Sequence, residues 1–374
     1  MDVLPLDPSV PPLHWRSVSK NPVPKRVVEA DDRMTADAAF KSVCEGTALL
    51  WRGDYPGARQ LLAAMGRRAD RSTPVAADDA REAFHLHRRA QGRRARLLGM
   101  LLVPVDADHR VPLKRAPDVR AACADAYGPP DADDPAFAVS LRELLGVVGA
   151  HEWRRKGVPV HALGDDRVHP HYGVFAPVRD EYVDLVARAP LPDDHSAAYD
   201  VGTGTGVLAV LLARRGVRHV IATDLDERAL ACARENVERL GAADRVSVVE
   251  ADLFPEGRAP LVVCNPPWLP AKPASAVDHA VYDPGSRMLR GFLGGLAGRL
   301  APGGEGWLVL SDLAEHLGLR TRQELLDLVD AAGLRVLDRL DARPTHPRAT
   351  DIADPLHAAR AAETTSLWRL AAAH

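Results

Sequence analysis

Cysteine is scarce in this chain. Cys44, Cys123, Cys232 and Cys264 are the only four in 374 residues, and no two stand in a Cys-x-x-Cys or Cys-x-x-His spacing. That excludes a zinc ribbon or a disulfide framework and leaves reduced, mostly buried thiols as the expectation. No run of 18 apolar residues occurs, so no membrane-spanning helix is expected. The opening MDVLPLDPSVPPLHW lacks the basic start and apolar core of a signal peptide, which points to the cytoplasm. Lysine is rare as well, six against 42 arginines, as a coding bias produces. A net charge of −3 gives the whole molecule no general pull on polyanions.

What is present suits a globular protein of two domains: 46% apolar and 26% charged residues over 374 positions. The charge is uneven. Residues 81–120 hold ten basic against four acidic side chains, and Arg88, Arg89, Arg93, Arg94 and Arg96 crowd one predicted helix. Such a run is ordinarily a solvated face; its other reading is a nucleic-acid or acidic-substrate contact. Residues 1–30 are proline-rich and read as an extended arm. Residues 31–157 read as a mainly helical substrate-recognition domain, with helices over 34–53, 55–69 and 77–98 and further helical stretches after 117. MLLVPVDADHRVPL (100–113) reads as a short hairpin, and residues 158–175 as a second one bridging to the next domain.

Residues 176–374 are regular. Strand and helix alternate from AAYDVGT to GWLVLSD, the pattern of a doubly wound parallel sheet, and LRVLDRL and TSLWRLAA supply a final strand pair. The first strand runs into Gly202, Gly204 and Gly206. Glycine permits a tight strand-to-helix turn and a close backbone approach to a ligand. Asp200 ends the first strand, placed for the ammonium end of a ligand. Asp224 ends the second, where a carboxylate takes both ribose hydroxyls, and Asp226 reads as the cap of the next helix. Asp252, with Leu253 beside it, follows the third strand, where a carboxylate accepts from an adenine amino group. Three acids after three successive strands mark the ligand-binding edge of such a sheet.

After the fourth strand comes Asn265-Pro266-Pro267-Trp268. A planar NH2 must lose conjugation before its lone pair can attack. The Asn265 side-chain oxygen and the Pro266 carbonyl can accept its two hydrogens and aim it. Pro266 and Pro267 fix the turn, and Trp268 offers a face for stacking.

Residues 176–374 thus resemble a class I S-adenosylmethionine-dependent methyltransferase of the Asn-Pro-Pro-aromatic group. That group includes protein glutamine-N5, adenine-N6 and some guanine-N2 methyltransferases. The resemblance implies a Rossmann-like seven-stranded sheet with helices on both faces, beside the mainly helical N-terminal domain. It also implies S-adenosylmethionine as cofactor. HYGVFAPVRDEYVDLV (171–186) is similar to a segment ahead of the glycine turn in the glutamine enzymes. It implies that Phe175, Pro177 and Arg179 border the methionine and target pockets. The chain departs from that subfamily at Trp268, where tyrosine is usual, at Asp180-Glu181, where Thr-Glu is usual, and in its longer N-terminal region.

The expected activity is methyl transfer to a planar nitrogen, foremost a glutamine-like protein or peptide amide. The alternatives are an RNA or DNA base (adenine N6 or guanine N2) stacked on Trp268, and a small molecule. A non-catalytic cofactor- or RNA-binding module is the reading from a different class. No metal is expected: His151, His161, His169 and His171 lack partner spacing, and transfer from a sulfonium needs none. His346 and Arg348 lie in an insert that reads as a solvated loop.

Overall fold

The structure is a computed structural model describing residues 2–8, 11–71, 79–131, 134–272, 281–344, 351–352 and 354–373. His346 and Arg348 lie outside the described residues. Two compact units divide the chain, Met1–Ala77 with His85–Glu152, and Asp78–Phe84 with Trp153–His374. Among the described residues no helix is long and apolar enough to cross a membrane.

The first unit holds β1 (His14–Trp15), β2 (Val27–Ala30), α1 (Ala36–Cys44), β3 (Ala48–Trp51), α2 (Tyr55–Arg71), most of α3 (Ala80–Leu98), β4 (Leu101–Val105), α4 (Arg120–Tyr127), β5 (Phe137–Ser140) and most of α5 (Leu141–Lys156). Its strands form a five-stranded sheet in the order β1-β5-β4-β3-β2. The helical reading of this region omitted that sheet, and the reason is local. Ala48–Trp51 and Phe137–Ser140 are buried at every position. A four-residue apolar run has no period that separates strand from helix. The helix drawn over 34–53 therefore stops at Cys44, where Gly46 turns the chain at φ 81°. In the segment read as an arm, β1 pairs with β5 and β2 with β3. The hairpin expected over 100–113 is a single strand, β4, which pairs with β3 and β5 instead. On α3, Arg89, Arg93 and Arg96 are exposed at i, i+4 and i+7 and so share one face, while Arg94 donates to Asp70 at 2.8 Å.

The second unit begins with a short antiparallel pair, β6 (Val158–Pro159) and β7 (Arg167–Val168). There follow α6 (Glu181–Arg188), β8 (Ala197–Val201), α7 (Val207–Arg214), β9 (His219–Asp224), α8 (Glu227–Arg239), β10 (Val246–Glu250), β11 (Ala259–Cys264), α9 (Arg287–Arg299), β12 (Leu300–Ser311), α10 (Leu313–His316), α11 (Arg322–Ala331), β13 (Leu334–Ala342), α12 (His357–Ala362) and β14 (Thr365–Ala372). The sheet has seven strands in the order β10-β9-β8-β11-β12-β14-β13. All pairings are parallel except those of β14, which is antiparallel to both neighbours. Helices cover both faces, so β11 is buried along its whole length and reads as an unbroken apolar run. Two cores result. One gathers α7, α6 and β9 around Leu208, Leu211, Val183 and Val220. The other gathers α9 and α11 around Phe292, Leu296, Leu325 and Leu308.

Candidate functional site

Strand order fixes where a ligand fits. From β8 the chain steps outward to β9 and β10, then returns to β11 on the other side of β8. In open sheets ligands bind in the crevice beyond the carboxyl ends at this reversal. The ladder pairs Cys264 with Val201. Asn265 and Gly202 therefore leave the sheet side by side, about one strand spacing (~5 Å) apart.

Gly202, Gly204 and Gly206 have φ of 72°, 55° and 80°, all left-handed. A Cβ on Gly202 would fall 2.4 Å from Met288 Cε, and one on Gly206 would fall 3.3 Å from Ala233. A Cβ on Gly204 would meet nothing within 4 Å. Gly206 is thus held by close packing on α8, a Cβ on Gly202 would need only the flexible end of Met288 to move, and the middle glycine opens onto free space. Gly206 is the N-cap of α7, which directs that helix's unpaired N–H groups to the same place.

Asp200 is buried beneath the turn. Its Oδ2 accepts from Thr203 Oγ1 at 2.6 Å and from the Ala209 N–H at 3.1 Å. Burial pushes its carboxyl up to about 6, against the pull of those two donors. Asp224 closes β9. Its Oδ2 accepts from the Gly204 N–H and its Oδ1 from the Asp226 N–H, each at 3.1 Å. Each oxygen keeps further acceptor capacity. Burial raises this carboxyl too, and the backbone donors oppose the rise. Asp226 caps α8 by accepting from the Arg228 N–H at 3.0 Å. Asp252 is exposed, 3.5 Å from Arg287. Leu253 sits at φ 71°, a strained position for a side chain with a branch, while its carbonyl accepts from Thr223 Oγ1 at 2.6 Å.

The 167–179 segment reaches the turn along α8. Asn236 is fully buried; it accepts from the His169 N–H at 2.8 Å and donates to the Thr205 carbonyl at 3.1 Å. Val174 packs on Ala229 and Cys232. Phe175 is half-buried and Pro177 buried. Arg179 then lies with Cζ 5.0 Å from the centre of the Trp268 ring. Its guanidinium donates to Glu181 at 2.8 Å and Glu363 at 2.9 Å. Trp268 in turn donates its indole N–H to Asn265 Oδ1 at 2.9 Å. Pro266 is buried and Pro267 half-buried, as a fixed turn between them requires.

Two features add to the sequence reading. One face of Trp268 is covered by Arg179, so at most one remains for stacking. One lone pair of Asn265 Oδ1 is already in use. The sequence reading did not single out Glu363, Ser311, Asn236 or Met288. Neither Glu363 nor Asn236 carries a local signal: Asn236 stands among charged residues in RENVER, and Glu363 meets its partners only through distant packing. Among the described residues no group of three or more His, Cys, Asp or Glu side chains is arranged to hold a metal. The histidines considered for one are engaged elsewhere: His171 Nε2 meets Glu235 at 2.7 Å and His169 Nδ1 the Arg154 carbonyl at 2.6 Å.

Residues 188–266 match the family model of ribosomal protein L11 methyltransferase (PrmA). A release factor glutamine methyltransferase of Cereibacter sphaeroides is 37% identical over 174 residues, 42% of this chain and 60% of that protein. A ribosomal protein L11 methyltransferase of Pelotomaculum thermopropionicum is 40% identical over 230 residues, 55% of this chain and 66% of that protein. The chain spans less than two thirds of the length of either. Among solved structures, ribosomal protein L11 methylase from Lactobacillus delbrueckii subsp. bulgaricus aligns with TM-score 0.38 and 15% identity, over 56% of this chain and 87% of that one. Over part of its length, the chain is thus similar in sequence to ribosomal protein L11 methyltransferases and release factor glutamine methyltransferases.

Proposed function

We propose that this protein is an enzyme that binds S-adenosylmethionine in the crevice beyond β8, β9 and β10 and methylates a planar nitrogen, foremost a glutamine-like amide of a protein or peptide. The observation that carries this reading is the adjacency of two loops. The Asn265-Pro266-Pro267-Trp268 turn leaves the sheet beside the glycine turn, on the neighbouring strand. When bound, the cofactor supplies an electrophilic methyl group on a sulfonium sulfur.

The residues fit such a group. Gly204 leaves room for a ligand to lie against the backbone. Asp224 keeps acceptor capacity for two ribose hydroxyls. Asp252 and Leu253 stand at the end of β10 for the adenine, and Phe175 and Pro177 lie along the approach from α8. Asn265 Oδ1, through its remaining lone pair, and the Pro266 carbonyl accept the two N–H groups of the incoming nitrogen. That holds the nitrogen's lone pair in line with the departing sulfur. The nitrogen proton leaves after the N–C bond has formed, when the nitrogen is most acidic, so no strong base is required. The four thiols lack any paired spacing, which fits a cytoplasmic setting.

A second reading is methylation of a nucleic-acid base. It draws on the exposed Arg89, Arg93 and Arg96 face of α3. One experiment separates the two. The full chain is incubated with methyl-labelled cofactor and a cell lysate, and portions are then treated with protease or ribonuclease. Label lost to protease alone supports the amide reading. Label lost to ribonuclease moves the assignment to the base. No label above an Asn265→Ala control overturns both.

A further inference from the structure

We infer that Glu363, the residue that follows α12 ahead of the last strand, is a positioning residue for the acceptor clamp, acting through Arg179 and Trp268 on Asn265. The inference rests on the clamp reading given above.

Glu363 is only 1% exposed. Its Oε1 accepts from Ser311 Oγ at 2.6 Å and from Arg179 at 2.9 Å, and its Oε2 is buried with no hydrogen-bond partner. A buried carboxylate so incompletely satisfied is a poor device for stability alone. Glu181, 6% exposed, grips the same guanidinium from a second direction. A planar fork held by two carboxylates has little freedom to rotate, so the guanidinium is held in place over the Trp268 ring.

The next link is the bond from Trp268 Nε1 to Asn265 Oδ1. An indole N–H can only donate, so it selects the oxygen of the carboxamide and rejects its NH2. With the indole held, the oxygen is pinned beside it and keeps one lone pair free. With the indole loose, the carboxamide can turn over and set its own N–H groups against those of an acceptor. Ser311 is the last residue of β12 and pairs with Thr365 at the start of β14. The chain of contacts is therefore anchored on two adjacent strands rather than on a loop alone. An ion pair that merely closes the last strand would stabilise the fold and leave the indole's environment untouched, and that difference can be measured.

The test uses 15N-labelled full-length protein. The indole N–H resonance of Trp268, one of six tryptophans, is assigned by its loss in Trp268→Phe. It is then followed in Glu363→Ala and Glu363→Gln, alongside kcat, KM and cofactor affinity by calorimetry. Glu363→Ala is expected to shift the Trp268 resonance and speed its exchange with water. It should lower kcat on the order of 10- to 100-fold while cofactor affinity stays within about twofold. Glu363→Gln retains an acceptor for Ser311 and Arg179 and is expected to restore most of both signals. A folded Glu363→Ala with an unmoved resonance and unchanged kcat overturns the inference. If Glu363→Ala fails to fold, Arg179→Lys, which keeps the charge and loses the fork, is read in the same way. Full turnover in Asn265→Ala would sink the clamp reading, whereas the resonance reports the Glu363–Trp268 coupling whatever the activity.

Discussion

The indole N–H of Trp268 is bonded to the side-chain oxygen of Asn265 at 2.9 Å. The fourth residue of the Asn-Pro-Pro-Trp string thus orients the first. Tryptophan can donate there but not accept, and it consumes one of the oxygen's two lone pairs.

Asn265→Ala removes the acceptor itself. Turnover is expected to fall about 100-fold or more, by analogy with the loss of one aligned group in a preorganised site, while cofactor affinity holds. Trp268→Phe keeps a ring under Arg179 and removes only the donor. Its turnover should fall by a smaller factor, about 10-fold, the cost of one hydrogen bond. Steady-state rates with calorimetric cofactor titration check both. Equal turnover in Asn265→Ala and wild type would mean that the string is structural.

The three glycines predict different failures. Gly206→Ala presses a Cβ to 3.3 Å from the Ala233 backbone at a left-handed position, so it should lower the melting temperature by displacing α8. Gly204→Ala has open space, and its cost to folding is only that of a left-handed residue, about 1 kcal/mol. Its added methyl, however, enters the space assigned to the cofactor. Gly204→Ala is therefore expected to melt close to wild type and to bind S-adenosylmethionine at least tenfold more weakly. Calorimetry and thermal unfolding on the two variants decide it. Undiminished affinity in folded Gly204→Ala would move the cofactor away from this turn.

Most of the second unit was legible in the sequence because its signals are local. Strand runs such as LVVCN, the left-handed glycines and the acids that close β8 and β9 all announce themselves within a few residues. The Asn265-Pro266-Pro267-Trp268 string is equally local. What escaped depends on distant packing. Glu363 meets Arg179 only because β14 inserts beside β12 with reversed direction. Nothing within several residues of either position encodes that contact. The five-stranded sheet of the first unit escaped for a different reason. Its three inner strands, β3, β4 and β5, are short and buried on both faces, so they lack the alternation that marks a half-exposed strand. Asp200 makes bonds that the sequence does not announce: they brace the glycine turn from below.

Asp224→Ala should weaken S-adenosylmethionine binding by about 1–3 kcal/mol through loss of the charged acceptor pair. It also removes the partner of the Gly204 N–H, so part of the loss belongs to the turn. Asp224→Asn separates these, since its side-chain oxygen can still accept from Gly204. The expected order of affinity by calorimetry is wild type, then Asn, then Ala. An Asn variant equal to wild type would mean that charge plays no part, and an Ala variant equal to wild type would remove Asp224 from the site.

The buried Asp200 is expected to make both stability and binding depend on pH. Its folded-state value of about 6 lies above the ordinary 3.8, and burial is the main cause. The raised value means that the protonated form fits the fold better. Its stabilising contribution is complete below pH 3.8 and is lost as pH rises through 6. Above that, ionised Asp200 costs the unliganded protein on the order of 3 kcal/mol. Asp200→Asn keeps an oxygen for Thr203 and Ala209 and cannot ionise. Its melting temperature should therefore gain on wild type as pH rises from about 4 to 6.5 and run parallel above. A cationic ligand reverses the preference, because it favours the carboxylate. Below pH 6, binding should then release a proton from Asp200, and wild-type affinity should fall as the medium is acidified. Calorimetry at pH 5.5 in two buffers of different ionisation enthalpy measures that release directly. Asp200→Asn should show a smaller release and a flatter affinity profile. If the stability difference between the two proteins stayed constant from pH 4 to 7, the carboxyl would not be titrating in this range and the proposed role of Asp200 beneath the glycine turn would lose its electrostatic basis.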